Sequence, residues 1–308
     1  MRWNQVGRFL ALVSLPLCLW TSSSLAAAPA RCAVVYSDEA GAFWSVRPDG
    51  GERHRLPWPP APQAKVVGAD WSPRTSRVAT IYQEPNTSAS RLVITDARGK
   101  VLRRIHLPVD SAGPRWSPDG TRIAFSTGFI GPPANVFVVD VATGSLHNLT
   151  RGRGNNSLGS WSPDGHSLVI SRAKTASGTH ALWIVRRDGS GWRKLLVQLA
   201  GGDIGNADWS PDGRRLAFAY APVSGGDGIF VADIDGTHPH RLTSGSSNDD
   251  PRWSADGSEI AFDDSVGDPP NDVRVVSSAG GHQHQVTHSD EQNLYDLGKY
   301  LEGWQCTN

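Results

Sequence analysis

The chain has 308 residues, of which 38% are hydrophobic, and this composition favours a packed globular protein over a disordered one. Thirty Lys and Arg residues balance thirty Asp and Glu residues, so the chain lacks the basic excess that nucleic-acid binding requires. Its 33 Gly, 21 Pro and 12 Trp residues favour many short strands over long helices.

The first 26 residues have the features of a secretory signal peptide. Arg2 and Arg8 give a positive start, residues 9–20 form an apolar run, and residues 24–26 offer small side chains for cleavage. As a helix the apolar run would be about 18 Å long, too short for the roughly 30 Å membrane core, so we expect no stable membrane insertion. We predict a periplasmic or secreted protein whose mature chain comprises residues 27–308.

Five Trp-Ser motifs recur along the mature chain at an even spacing. They are separated by 45, 45, 48 and 44 residues and begin at Trp71, Trp116, Trp161, Trp209 and Trp253. This period is the length of one four-stranded propeller blade. After each tryptophan, a turn of the Pro-Asp-Gly type and three apolar segments predict three further antiparallel strands. The aspartates of these turns are expected to cap backbone N–H groups; they are Asp119, Asp164, Asp212 and Asp256.

The two ends of the chain supply a sixth repeat in two pieces. Residues 32–56 match the second to fourth strands of a repeat, and residues 301–304 stand where the next Trp-bearing strand should fall. We therefore predict an all-β, six-bladed β-propeller in which the last strand completes the first blade. Cys32 and Cys306 hold places that lie side by side across this hairpin, which predicts a disulfide of order 5 kcal/mol in an exported protein. Two free, buried thiols are the alternative.

The Trp-Ser-Pro-Asp-Gly repeats, with the Ile-Ala-Phe and Arg-Leu-Thr segments that follow them, closely resemble the WD40-like repeats of the TolB-like six-bladed β-propeller family. The resemblance covers about residues 32–306. The sequence departs from the repeat motif at Arg74-Thr75, which stands in place of Asp-Gly, and at Ala255, which stands in place of Pro. TolB itself carries an α/β domain before its propeller, and the few residues between the predicted cleavage site and Cys32 leave no room for one. The resemblance implies a protein that binds other proteins.

Local signatures of catalysis are missing from the sequence. There is no Gly-x-Ser-x-Gly elbow, phosphate-binding loop, His-Glu-x-x-His or Cys-x-x-Cys motif, so we predict no catalytic residue and no cofactor. His238 and His240, and His282 and His284 with His288 nearby, have a spacing similar to that of metal ligands. Because they fall in or before the fourth strands, we expect them on the outer rim, where neighbouring blades diverge, and predict no metal site.

Two sets of polar residues are expected around the central channel. The residues directly before the tryptophans should form a ring of alternating charge on the innermost strands, with Asp70 beside Arg115 and Asp208 beside Arg252. Inter-blade ion pairing is the simplest role for this ring. The segments that lead into the innermost strands should expose short polar side chains at the channel mouth, where they could bind a partner's backbone or a cation; they include Asn155, Asn156, Asp203, Asn206, Asn248, Asp249 and Asp250.

These features favour a monomeric, non-enzymatic binding module whose partner is a protein or peptide. The alternative is a lyase or hydrolase that acts on polysaccharide in the central channel, possibly with a metal, because catalytic groups from different blades can converge there without a local sequence motif. A family member with a purely structural role is the third interpretation.

Overall fold

The computed structural model describes residues 31–38, 42–56, 65–84, 87, 89–128, 133–174, 178–195, 197, 199–243, 248–264, 272–287 and 299–307. These residues form twenty-four strands in six four-stranded antiparallel sheets, with no helix among them. The predicted all-β, six-bladed propeller is therefore confirmed.

Each sheet is one blade, and its strands follow in chain order from the channel outwards except in blade 1, whose innermost strand is the last of the chain. Blade 1 consists of β24 (Lys299–Thr307), β1 (Arg31–Asp38), β2 (Phe43–Val46) and β3 (His54–Arg55). Blade 2 consists of β4 (Lys65–Trp71), β5 (Val78–Gln83), β6 (Ser90–Thr95) and β7 (Val101–Leu107). Blade 3 consists of β8 (Ala112–Trp116), β9 (Arg122–Thr127), β10 (Asn135–Asp140) and β11 (Leu146–Asn148).

The remaining three blades repeat this arrangement. Blade 4 consists of β12 (Asn155–Trp161), β13 (Ser167–Ala173), β14 (Ala181–Arg186) and β15 (Arg193–Lys194). Blade 5 consists of β16 (Gly202–Trp209), β17 (Arg215–Pro222), β18 (Gly228–Asp233) and β19 (His240–Arg241). Blade 6 consists of β20 (Asn248–Trp253), β21 (Glu259–Asp264), β22 (Asp272–Ser277) and β23 (Gln283–Gln285).

Blade 1 closes the ring as the sequence predicts. Strand β24 pairs antiparallel with β1, and Cys32 lies directly opposite Cys306 in this pairing. Buried side chains of blade 1 pack on both neighbours, with Val34 in one apolar cluster with Val275 of blade 6 and Val35 in another with Ala69 of blade 2. The backbone register thus brings the two cysteine positions together, and the disulfide itself remains a prediction.

The repeated Trp-Ser-Pro-Asp-Gly segment forms the hairpin between the first two strands of a blade. In blade 3 the buried Ser117 hydroxyl accepts the N–H of Arg122 at 2.9 Å, which ties the two strands together. Asp119 accepts hydrogen bonds from Ser117 at 2.6 Å and from the Thr121 N–H at 2.9 Å. The same aspartate-to-backbone bond recurs at Asp164, Asp212 and Asp256, so the capping role predicted for these residues is confirmed.

Apolar side chains fill the space between neighbouring blades. The second and third strands bury Ile, Val, Leu and Phe completely, as at Phe125, Phe218 and Phe262. Burying a side chain of this size contributes about 2 kcal/mol relative to leaving it exposed. Two of the tryptophans join adjacent blades through their indole N–H groups, since that of Trp116 donates to the Asp70 carbonyl at 3.1 Å and that of Trp161 to the Arg115 carbonyl at 3.0 Å. The innermost strands are thereby fixed around the channel.

Candidate functional site

A β-bulge interrupts the innermost strand of blades 2 to 6 just before its tryptophan. The residue three places before the tryptophan has a positive φ in four of these blades: Gly68, Gly113, Asn206 and Asp250. Glycine adopts this conformation without strain, whereas Asn206 and Asp250 adopt it at some cost. A bulge redirects the side chains beside it. The channel of this protein is therefore lined by side chains whose direction the bulge sets.

Three residues of the predicted ring accept the backbone N–H of the tryptophan in the next blade. Asp70 bonds to Trp116 at 2.6 Å, Ser160 to Trp209 at 2.8 Å and Asp208 to Trp253 at 2.7 Å; the acceptors are Asp70 Oδ2, Ser160 Oγ and Asp208 Oδ2. Among the described residues, Asp70 forms no close ion pair with Arg115, and Asp208 forms none with Arg252, although the sequence predicted both. A carboxylate that caps a neighbouring backbone amide connects two blades without a cation.

Both arginines of the ring contact Asp250 instead. Nη2 of Arg252 lies 2.7 Å from an Asp250 carboxylate oxygen, and Nη2 of Arg115 lies 3.8 Å from the other. Arg115 belongs to blade 3 and Asp250 to blade 6, on opposite sides of the ring, so the ion pair spans the channel. Only 15% and 8% of the Arg115 and Arg252 side chains are exposed. Asp250 was expected at the exposed mouth, and its left-handed backbone places its carboxylate among these arginines.

The two capping carboxylates of the ring have strongly raised pKa values. Burial raises the pKa of Asp70 to about 7, although the charge of Arg115 and the backbone bonds oppose this shift and the charge of Asp208 adds to it. Burial likewise raises the pKa of Asp208 to about 6, opposed by its hydrogen bonds with Trp253 and Ser160. Both side chains remain partly accessible from the channel. Carboxyl groups that titrate near neutral pH in a channel are typical of functional sites.

Two residues expected at the exposed mouth are buried instead. Asn156 is 1% exposed and donates to the carbonyls of Ala134, Arg153 and Gly154, which holds the loop before β12. Asn248, the equivalent residue of blade 6, is 4% exposed and accepts from Thr243 at 2.6 Å. Asparagines at this repeat position stabilise the entry of the innermost strand.

The half-buried Asn155 accepts the Ala134 N–H at 3.2 Å through its side-chain oxygen. It therefore also takes part in holding the loop at the entry of blade 4. Asn155 and Asn156 both bond to backbone groups, and neither lines the pocket that lies between blades 5 and 6.

Four residues expected at the mouth line one cavity of about 330 Å³ between blades 5 and 6, which we call the mouth pocket. They are Asp203, Asn206, Asp249 and the buried Asn248. Nδ2 of Asn206 donates to Asp249 at 2.8 Å across the blade boundary. The pocket is acidic and open, and Asn206, one of its lining residues, has a φ of 39°. The structure groups these residues in blades 5 and 6 rather than around the whole mouth, and their binding role stays a prediction.

Sequence reasoning missed three residues that shape the mouth pocket. Asp227 adds a third carboxylate to its lining, and Tyr220 forms one wall while its hydroxyl contacts the carbonyls of Ala200 and Gly201. His180 lies 3.1 Å from Asp203, so that a loop of blade 4 braces the pocket. None of these residues belongs to the repeat motif, and the sequence carries no signal that would connect them.

The histidine pairs lie where the sequence predicts. His240 and His284 are exposed on the outermost strands β19 and β23, and His238 and His282 are exposed beside them; His288 lies outside the described residues. His238 bonds to Asp233 at 2.7 Å. Within the described ranges, no group of three His, Cys, Asp or Glu side chains has the arrangement of a metal site. Nor does that part of the chain contain a helix long and apolar enough to span a membrane.

Parts of the chain are similar in sequence to known bacterial proteins. No protein-family model matches it. The Tol-Pal system protein TolB of Francisella tularensis subsp. mediasiatica is 30% identical over 110 residues, which are 34% of this chain and 25% of that protein. The uncharacterized peptidase YuxL of Bacillus subtilis is 26% identical over 191 residues, which are 50% of this chain and 29% of that protein. The matches span less than a third of either relative.

The fold is shared with several solved structures. TolB from Acinetobacter baumannii superposes with a TM-score of 0.70 at 17% identity, over 89% of this chain and 66% of the other. A chain of the nidogen/laminin complex superposes with a TM-score of 0.67 at 10% identity, over 89% of this chain and 97% of the other. Together with the repeats and the six blades, these similarities show that the chain has the six-bladed β-propeller fold that is also found in TolB.

Proposed function

We propose that the protein is an exported, non-enzymatic binding module that holds a protein or peptide partner at the mouth pocket. The observation that carries this proposal is the convergence of Asp203, Asp227 and Asp249 on one open cavity at the channel mouth. The relatives support it, since one is named as a component of the Tol-Pal system and one structure is that of a protein complex.

The chemistry of the mouth pocket favours a basic segment of the partner. The side chains of Asp227 and Asp249 have no ion pair with any Lys, Arg or His of the described ranges, so two negative charges are available to a ligand. Val223 stands on the adjoining loop with 87% of its surface exposed. A Lys or Arg side chain next to an apolar one complements this surface, and electrostatic attraction would speed the encounter.

The test is quantitative capture from an envelope extract of the producing bacterium with the mature chain as bait. The variant Asp227→Asn/Asp249→Asn removes two charges of the mouth pocket while keeping the side-chain shapes. Asp188→Asn/Asp235→Asn removes two exposed charges elsewhere and is the matched control. We expect the pocket variant to lose a partner that wild type and control retain, with capture weakening as salt increases. Equal capture by all three proteins contradicts the proposed site.

An enzyme acting on sugar chains in the channel is the second candidate function. The observation that favours it is the pair of carboxyl groups, Asp70 and Asp208, whose pKa values are raised to about 7 and about 6 in one channel. Glycoside cleavage uses a pair of carboxyl groups, of which the general acid has a raised pKa. Release of reducing ends from polysaccharide by the wild type, abolished in Asp70→Asn and Asp208→Asn, would support this function. The absence of turnover over a polysaccharide panel would leave the binding function alone.

Export and the terminal disulfide belong to the same proposal. Residues 1–26, which lie outside the described residues, are proposed to direct the chain across the inner membrane, where a disulfide would persist. The backbone pairing of Cys32 with Cys306 supports this bond. We predict that peptide mapping without reductant recovers a cross-linked fragment containing both cysteines, and that Cys32→Ser/Cys306→Ser lowers the free energy of unfolding by up to about 5 kcal/mol. Two free thiols in the exported protein, counted by alkylation, would contradict the bond.

A further inference from the structure

A second cavity lies on the face of the propeller formed by the Asp-Gly turns, away from the mouth pocket. It has a volume of about 770 Å³ and lies along blades 2 and 3, with Arg187 of blade 4 at one side. Four arginines line this cavity, which we call the arginine groove. They are Arg77, Arg103, Arg122 and Arg187. A cavity of this size accommodates a small organic molecule.

Arg187 occupies a place where the neighbouring blades bury an apolar side chain. Its backbone N–H donates to the His166 carbonyl, just as Val141 donates to Thr121 in blade 3 and Ile234 to Arg214 in blade 5. Val141 is buried and Ile234 packs against the core. The half-buried Arg187 side chain has neither a hydrogen bond nor an ion pair within the described ranges. At this position blade 4 therefore has a charged side chain where blades 3 and 5 have an apolar one, and this charge has no partner among the described residues.

Arg77 is a second half-buried arginine of the groove that makes no side-chain hydrogen bond or ion pair with the described residues. It stands six places after its tryptophan, like Arg215 of blade 5. Arg215 lies over the ring of Trp253 at 4.8 Å, a contact that explains the structural role of arginine at this position. Desolvating a guanidinium without a partner is unfavourable. Arg77 and Arg187 thus line the groove without a hydrogen bond or ion pair from their side chains to any described residue.

The groove is also lined by two carboxylates, Asp119 and Asp140, which accept hydrogen bonds within the turns. Asp119 accepts hydrogen bonds from Ser117 and Thr121, and Asp140 accepts the Thr143 N–H at 2.8 Å. Although partial burial raises it, these bonds hold the pKa of Asp119 below its ordinary value, and the bonds from Thr143 do the same for Asp140. Arg122 lies 3.9 Å from Asp119, a distance too long for a hydrogen bond. The groove therefore retains a positive excess.

Apolar side chains lie next to these arginines. Leu102 is 46% exposed, and Ile94 and Val141 complete the apolar part of the lining. We propose that the arginine groove binds a phosphate monoester, with the phosphate held by Arg77 and Arg187 and its organic part lying against Leu102. Phosphate oxygens accept paired hydrogen bonds from the planar guanidinium fork, and the dianion balances the excess positive charge.

The test is isothermal titration calorimetry of the mature protein with phenyl phosphate at low salt and pH 7.5, where the phosphate is a dianion. We expect phenyl phosphate to bind at least about tenfold more tightly than inorganic phosphate, benzoate or phenol, because each of these lacks one feature of the proposed ligand. Inorganic phosphate or benzoate binding as tightly as phenyl phosphate overturns the proposal, and so does the absence of detectable heat with phenyl phosphate at about 10 mM.

Three variants test whether the arginines are the binding groups. Arg77→Gln and Arg187→Val should each weaken binding about tenfold or more. Valine is chosen for position 187 because blade 3 has Val141 at the equivalent position. Arg98→Gln, an exposed arginine on the same face outside the groove, should change it less than about twofold. Arg187→Val should also unfold at the same or a higher temperature than wild type, since an unpaired charge is removed. A lower unfolding temperature with unchanged binding would make Arg187 a structural residue and overturn its assignment.

Discussion

Asp208 and Asp212 lie four residues apart in one hairpin of blade 5, and their pKa values move in opposite directions. Asp208 faces the channel, where burial raises its pKa to about 6. Asp212 lies in the turn that follows, where hydrogen bonds from the Ser210 hydroxyl and the Arg214 N–H lower its pKa. The difference comes from solvation and from the number of donors that each carboxylate receives.

The comparison separates two uses of aspartate in the repeat. The turn aspartates are ionised and accept hydrogen bonds from the turn. They make the same bond in each of their blades and stabilise the hairpins. Asp70 and Asp208 instead combine backbone capping with an ionisation that burial disfavours, in a channel that also holds Arg115, Arg252 and Asp250. The channel is therefore the part of the scaffold whose charge responds to its surroundings.

The largest expected effect is on the pH dependence of stability. Unfolded aspartate has a pKa of about 3.9, below the values of about 7 and about 6 in the folded chain. The folded state thus binds more protons between these limits, so the stability from Asp70 and Asp208 is fully present below about pH 4 and is lost as the pH rises through 7. We expect a loss of a few kcal/mol in urea unfolding between pH 4.5 and 7.5, because one pKa unit corresponds to about 1.4 kcal/mol and solvent access reduces the full conversion.

The double variant Asp70→Asn/Asp208→Asn provides the control. Asparagine oxygens still accept the tryptophan amides but do not ionise, so the pH-dependent loss should disappear. Turn aspartates cannot mimic this result, because their lowered pKa values contribute stability that is present above about pH 4 and lost only as the pH falls further. An unchanged pH slope in the double variant would show that the channel carboxylates do not carry the effect.

The next largest effect is expected for Asp208→Ala. The substitution leaves the backbone N–H of Trp253 without its acceptor at the boundary between blades 5 and 6. An unsatisfied buried donor costs about 1–3 kcal/mol, and we expect a fall of about 2 kcal/mol in the free energy of unfolding at pH 5. Asp208→Asn at the same pH should lose much less. If the two variants are equally unstable, the carboxylate does more than accept this hydrogen bond.

Much of this architecture can be predicted from the sequence. The five tryptophan repeats fix the number and order of the blades, and the split repeat at the chain ends predicts the closure by β24. The turn aspartates follow from the same periodicity, because a motif that recurs in every blade has the same local hydrogen bonds in each. Repetition makes both the fold and its local chemistry predictable.

The contacts that break the repeat could not be predicted in this way. Asp250 stands at the repeat position where blades 2 and 3 have glycine. Its left-handed backbone conformation places its carboxylate close to Arg115 and Arg252. The mouth pocket needs Tyr220 and Asp227, which come from different strands and loops. Such sites depend on side chains that meet in space and share no spacing along the chain.

A smaller effect is expected for Asp212→Ala, which tests the turn side of the comparison. The variant removes the acceptor for the Ser210 hydroxyl and the Arg214 N–H, both near solvent that can replace part of the interaction. We expect a loss of about 1 kcal/mol above pH 5, measured by urea unfolding, and a smaller difference from wild type at pH 2–3. A loss as large as that of Asp208→Ala would mean that burial does not distinguish the two sites.

The smallest effect on stability is expected for Asn206→Gly. Glycine removes the strain of a φ of 39° but also the hydrogen bond to Asp249, and each amounts to about 1 kcal/mol. We therefore expect unfolding to change by less than about 0.5 kcal/mol, while capture of the partner at the mouth pocket falls.

Ser76→Gly is the matched control, because Ser76 has a φ of 47° in an exposed turn remote from the mouth pocket. It should gain about 0.5 kcal/mol and leave capture unchanged. If the backbone conformation of Asn206 served only stability, the reverse would be observed: Asn206→Gly would be clearly destabilised, and capture of the partner would be unchanged. The two variants thus distinguish a residue whose strained conformation serves binding from one whose strained conformation has no role in binding.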